Sequence, residues 1–194
     1  MKRIFTFLLI VSSLLFSQNE FQVNTYSDST QRWPSISIDG NGNYYVVWQS
    51  LLRDSLNTNS NIYLQQFNSN DEKIGSEVLV NGYEWDQQEK PVIATNSSGT
   101  SIIAWSILDP FTAYNIHARI FNQNTPVGNE INVNTYTEYS QTNPAVAIRD
   151  NGDFIVVWDS WFQDGSDRGV FAQIFTADGG KLGMEFKVNN TTLY

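Results

Sequence analysis

Short apolar runs of four to six residues, closed off by Gly, Asn and Asp, recur along the chain from residue 20 onward. Three of them end in tryptophan: Tyr44 to Trp48, Ile102 to Trp105 and Phe154 to Trp158. They are rich in Val, Ile, Tyr, Phe and Trp, and no window of helical length carries an apolar stripe at spacings of three and four. The runs therefore predict β-strands. In Phe154-Ile-Val-Val-Trp158 the apolar residues are consecutive, which predicts a strand covered on both faces. Ile131 and Val133 instead alternate with Asn132 and Asn134, which predicts a strand with one wet face.

The runs belong to a longer period. Val23-Asn24-Thr25-Tyr26, Val80-Asn81-Gly82-Tyr83 and Val133-Asn134-Thr135-Tyr136 open three copies of one pattern, and Val188-Asn189-Asn190-Thr191 begins a fourth. Subtracting the valine positions gives spacings of 57, 53 and 55 residues. Each copy continues with Gln31, Gln88 or Gln141 and, three residues later, Pro34, Pro91 or Pro144. A turn and the tryptophan run follow, then a polar loop and a run ending in Phe67, Phe121 or Phe175. A last run passes through Glu77, Glu130 or Glu185. Each copy thus reads as four strands. The first turns, Asp39-Gly-Asn-Gly-Asn43, Asn96-Ser-Ser-Gly99 and Asp150-Asn-Gly152, accept positive φ at little cost and join antiparallel neighbours.

Repeats of this size bury their apolar faces against one another, and four-stranded repeats stacked around an axis make an all-β fold of β-propeller blades. A two-sheet sandwich would leave one face of every strand solvated and gives no reason for the repetition. The string from Val133-Asn-Thr-Tyr-Thr-Glu-Tyr-Ser-Gln141 through Val156-Val-Trp158, Gln163-Asp-Gly-Ser166, Val170-Phe-Ala-Gln173 and Gly183-Met-Glu-Phe-Lys-Val-Asn189 resembles a repeat unit of secreted bacterial proteins. Those repeats are similar in strand order to sialidase-like propeller blades. The resemblance spans residues 21–194 and carries no catalytic motif, so what it implies is a scaffold.

Propellers close with about four to eight blades, and this chain holds three full repeats. It is expected to be part of a longer protein, to complete a ring with other chains, or to persist as an open arc with strand edges that invite self-association. The first is preferred, because the fourth copy breaks off after Val188-Asn189. The repeats are placed at about 23–79, 80–132 and 133–187, with the next starting at 188, inside a domain of residues 18–194.

Residues 1–17 read as a secretory signal peptide. Lys2 and Arg3 precede an apolar run from Ile4 to Phe16, with the small residue Ser17 at its end. The run falls short of the ~20 residues a membrane helix needs. The expected location is outside the cell or at its surface, without membrane insertion after cleavage. Removing Lys2 and Arg3 leaves 9 basic against 20 acidic residues, a net charge of −11. Such a chain repels phosphate backbones, so nucleic acid is excluded as a partner. There is no cysteine, and stability must come from the core.

Several groupings carry candidate chemistry. Asp159, Asp164 and Asp167 in one loop offer oxygen ligands for Ca²⁺, though they lack full calcium-loop spacing and suit turn capping better. Asp54 and Asp109 hold the matching loop positions. Trp48, Trp105 and Trp158 read as core. Trp33, Trp85 and Trp161 lie in loops, where rings beside Asn and Gln suit stacking on sugars. The one histidine, His117, aligns with Tyr63 and Phe171 and reads as structural. Glu77, Glu130 and Glu185 share one repeat position and suggest a common structural role. Arg32, Arg53, Arg119, Arg149 and Arg168 do not recur at one position, and the sialidase Asp-box Ser-x-Asp-x-Gly-x-x-Trp is absent. The expectation is a non-catalytic extracellular recognition scaffold for a protein or carbohydrate ligand, with no cofactor required. The alternative is a glycan-binding or sialidase-like, glycoside-active propeller.

Overall fold

A computed structural model describes residues 20–53, 59–82, 87–108 and 113–190. The proposed signal peptide at 1–17, Trp85, Asp54 and Asp109 lie outside the described residues. Twelve strands form three four-stranded antiparallel sheets, and no helix occurs among the described residues. The first sheet holds β1 (Gln31–Ile38), β2 (Tyr44–Leu51), β3 (Ser60–Phe67) and β4 (Lys73–Leu79). The second holds β5 (Gln87–Thr95), β6 (Thr100–Leu108), β7 (Tyr114–Asn122) and β8 (Thr125–Asn132). The third holds β9 (Gln141–Ile148), β10 (Phe154–Trp161), β11 (Arg168–Phe175) and β12 (Lys181–Lys187). Strands neighbour one another in chain order, so each sheet is a meander.

The turns close as their residues dictate. Asp39 Oδ1 accepts the amides of Asn41 and Asn43 at 2.8 and 3.0 Å, and Asn96 Oδ1 accepts those of Ser98 and Thr100 at 3.1 and 2.9 Å. Gly99 and Gly152 supply the left-handed positions, with φ of 88° and 92°. A Cβ at Gly152 would also lie 2.8 Å from the Ala177 side chain, so only glycine suits that corner.

The recurring Gln and Trp are one device. Trp48, Trp105 and Trp158 each donate the indole N–H to Oε1 of Gln31, Gln88 and Gln141, at 3.1, 2.6 and 2.9 Å. A buried indole needs an acceptor, and the first strand supplies it from the adjacent position in the sheet.

The sheets stack face to face and build two cores between them. Tyr45, Val47, Ile62 and Leu64 of the first sheet meet Ile103, Trp105 and Ile107 of the second. Ile102, Ala104, Ile116 and Ala118 on the opposite face of the second meet Phe154, Val156 and Trp158 of the third. This explains the unbroken apolar run of the second strand, whose successive side chains point into successive interfaces. Fully burying each large side chain is worth about 1.5–3 kcal/mol. The first strands β1, β5 and β9 lie side by side, and Ser35 and Ser37 hydroxyls accept the Ile93 and Thr95 amides at 3.3 and 2.9 Å. The first and third sheets each pack on the second, leaving an open arc of propeller blades.

The Val-Asn landmarks need a correction. The expected wet face does not hold for their asparagines, since Asn81 and Asn134 are buried. Val80 and Val133 extend the fourth strand by pairing with Ile62 and Ile116 carbonyls at 2.9 Å each. Asn81 Oδ1 and Asn134 Oδ1 then accept the Ile62 and Ile116 amides at 2.8 and 2.7 Å, so a side-chain amide stands in for the next strand residue. The following residue crosses to the next sheet. Gly82 and Thr135 donate their amides to Glu130 and Glu185, and Thr25 donates to Glu77 in the same way. The repeated glutamate is a latch between consecutive units, completed by Arg53, His117 or Gln163 in turn.

Candidate functional site

Strand order places the starts of first and third strands at one end of every sheet, together with the loops between second and third strands and the connections between sheets. At that end each first strand bulges just before its proline. Trp33, Lys90 and Asn143 adopt positive φ of 53°, 52° and 55°, and the register with the second strand jumps at each. A left-handed conformation is costly for Trp33 and Lys90 and milder for Asn143, since asparagine tolerates it, and proline in the next position disfavours it in all three. The jump turns the three side chains to one place on neighbouring strands.

They form a continuous row. The Arg32 guanidinium stacks 4.1 Å from the centre of the Trp33 ring, and the Lys90 ammonium approaches the same ring at 5.7 Å. Lys90 Nζ donates to Asn143 Oδ1 at 2.9 Å, and Asn143 Nδ2 donates to Asp159 Oδ2 at 2.8 Å. Glu89 lies 3.9 Å from Arg32 and accepts the Tyr114 hydroxyl at 3.4 Å. Burial, with the Glu89 charge beside it, pushes the Tyr114 phenol pKa up. Trp33 and Asn143 remain exposed. The row offers an aromatic face, two cations, two carboxylates and an amide within one polar strip.

Beside it, the third sheet carries an aromatic cluster. Tyr139 and Phe162, both exposed, have ring centres 5.2 Å apart; Phe162 meets Trp161 at 6.4 Å, and Arg168 stacks 4.4 Å from Trp161. Phe162 is held at φ 56° by a turn in which its amide donates to the Asp167 carbonyl at 3.2 Å. Of this cluster, sequence reasoning identified Trp161 alone. The doublet Trp161-Phe162 and the tyrosine two residues before Gln141 were the available signals.

The structure does not gather the candidate calcium ligands. Asp159 is engaged by Asn143, whereas Asp164 accepts the Ser166 amide and hydroxyl at 3.0 and 2.7 Å and pairs with Lys187 at 2.7 Å. The Lys187 and Ser166 hydrogen bonds hold the Asp164 carboxyl down at about 2. Among the described residues no three His, Asp or Glu side chains are arranged to hold a metal ion. His117 Nδ1 meets Glu130 Oε2 at 3.1 Å, away from the row. Burial opposes ionisation of Glu130, but the hydrogen bonds from His117 and Gly82, with the Arg119 charge, outweigh it and hold its pKa below the usual value.

No protein-family model and no curated protein matches the chain. Solved structures do share its fold. An endo-arabinase from Bacteroides thetaiotaomicron is 14% identical with a TM-score of 0.50, the match covering 81% of this chain and 60% of that one. A glycoside hydrolase of the GH130 family that targets β-1,2 mannosidic linkages in Candida mannan is 10% identical with a TM-score of 0.53, covering 81% and 51%. A glycosyl hydrolase from Bacteroides ovatus is 12% identical with a TM-score of 0.50, covering 82% and 49%. The chain spans between 49% and 60% of the length of these structures.

At such identities the likeness shows the fold. It also corrects the expectation of a non-catalytic scaffold that is not an enzyme. That expectation rested on a resemblance without catalytic motifs and on a histidine, arginines and glutamates that read as structural, whereas these chains of the same architecture are glycoside hydrolases, and the glycan-active alternative agrees better with them.

Proposed function

We propose that this chain is the glycan-active part of an exported β-propeller, with its sugar-binding strip along the row Trp33, Lys90, Asn143 and Asp159. The observation that carries the reading is that three strained bulges on successive first strands bring an exposed indole, a cation, an amide and a carboxylate into one line. A sugar ring offers C–H groups to an aromatic face and hydroxyls to polar side chains, and the row supplies both partners. Glu89 and Asp159 add two carboxylates to the strip, held by Arg32 and Tyr114 and by Asn143. Trp161, with Tyr139 and Phe162, extends the aromatic surface beside the strip.

In this reading residues 1–17 direct export, and residues 18–194 are propeller repeats of sialidase-like strand order. Among the described residues no helix is long and apolar enough to cross a membrane. Titration calorimetry with arabino-oligosaccharides, β-1,2-manno-oligosaccharides and a wider glycan panel tests the proposal, with product analysis alongside. Binding by the native protein, weakened at least tenfold (about 1.4 kcal/mol) in Trp33→Ala, is the expected result. Neither binding nor cleavage of any glycan would overturn it.

A further inference from the structure

The two ends of the arc expose positions that are buried where sheets meet inside it. Facing the second sheet, Ile62 and Val80 of the first sheet are fully buried, and so are Ile116 and Val133 of the second where they face the third. Their counterparts on the third sheet are Val170 and Val188, which are 37% and 49% exposed on a face that no other described residue of the chain covers. The apolar strip of β10 continues there with Ile155 and Val157, at the positions of Ile102 and Ala104.

The first sheet presents the other half. Ile93, which faces the first sheet from β5, is buried, whereas Ile36 at the corresponding place on β1 is 64% exposed, and Ile38 two residues further on is 62% exposed. Behind them Val46, Trp48 and Phe67 form a small third core. Phe21 and Val23 cover part of it, with the Phe21 and Phe67 ring centres 5.6 Å apart. The covering segment Glu20-Phe-Gln-Val-Asn24 repeats Glu185-Phe-Lys-Val-Asn189, the end of the third sheet's last strand. The first sheet thus wears a five-residue stand-in for the strand end that a preceding sheet would lay across it.

We infer that the end face of the third sheet docks on the end face of the first sheet in a second copy of this chain, head to tail. The contact would repeat the packing already present twice within the molecule, with Ile155, Val170 and Val188 in the roles of Ile102, Ile116 and Val133. Residues Phe186 to Asn189 of one copy would take the place held by Phe21 to Asn24 of the other. Two copies joined at both ends would bring together six of the described sheets, within the range of about four to eight at which propellers close. The interface is heterologous, so it closes as a ring or extends as a filament. The inference rests on the sheet faces and not on the glycan reading, and either can fail alone.

The test is light scattering coupled to size-exclusion chromatography on the exported protein and two variants, Ile36→Glu and Ile155→Glu. Both replaced residues lie on open faces; retained indole emission and circular dichroism would show that each variant folds. The native protein is expected to run with the mass of two chains or a higher multiple, and each variant as a single chain. An equimolar mixture of the two variants should recover a pair of chains, because one intact junction remains between them. A native protein that stays a single chain, association unchanged by either variant, or a mixture that does not pair would each overturn the inference. Removal of residues 20–24 should increase association at equal concentration; a decrease would argue against displacement of that segment.

Discussion

The second and third sheets carry almost the same strands and live in different surroundings. In β6, Ile102 and Ala104 are sealed between two sheets, while in β10 Ile155 and Val157 occupy the same positions on an open face. Both sequences show the unbroken apolar run, so the run records the neighbour a unit is built to have and not the neighbour it has in this chain. Burial here belongs to pairs of sheets. A sheet alone is a half-finished core, and the stability of the stack is expected to approximate a sum of unit and interface contributions.

The sharpest way to break this comparison is to place the same charge on both sheets. Ile102→Glu would strand a carboxylate in the core between the second and third sheets, a cost of several kcal/mol that should abolish cooperative unfolding. At a dilution where the protein is a single chain, Ile155→Glu should lower the unfolding free energy by no more than about 0.5 kcal/mol, as surface changes do. Equal losses in the two variants there would mean that the third sheet's end face is covered within the single chain as well.

A smaller effect separates the Trp-Gln pairs. Gln88→Ala leaves the fully buried Trp105 indole N–H without its acceptor, and chemical unfolding should show a loss of about 1–3 kcal/mol. The same change at Gln31, which is only half-buried at the end of the arc, should cost less, because water can replace the amide. A larger loss at Gln31 than at Gln88 would contradict the view that the inner interfaces carry the fold.

The smallest expected effect is electrostatic. Asp164 is held at about 2 in the folded chain, below the ordinary ~3.9 of the unfolded one. A depressed carboxyl contributes stability that is fully present above pH ~4 and is lost as pH falls toward 2. Lys187→Met removes the first cause of the depression, so the Asp164 carboxyl carbon should titrate closer to 4 by NMR, with a small loss of stability at neutral pH that disappears as pH falls toward 2.

The sequence disclosed the fold through residues that do the same job in each unit. Gln31, Gln88 and Gln141 repeat because three buried indoles need one acceptor each, and Val-Asn repeats because each chain crossing needs the same substitute pairing. The site was less legible, since it is built from residues that differ between units. Trp33, Lys90 and Asn143 share a backbone conformation and no chemistry, so alignment of the copies shows three unrelated side chains where the structure shows a row. The burial of Asn81 and Asn134 was hidden for another reason. Alternation with Val and Ile looks like a wet face, and only the position of the adjoining third strand reveals that the amide is replacing backbone.

The functional reading is tested most directly by indole N–H resonances, because the six tryptophans include internal controls. Trp48, Trp105 and Trp158 are buried partners of glutamine, and Trp33 lies exposed on the proposed strip. Adding an oligosaccharide that the calorimetric panel identifies as a ligand should shift the Trp33 indole signal while leaving those three unchanged. Shifts confined to the three buried indoles, or saturating binding with Trp33 unmoved, would contradict the account.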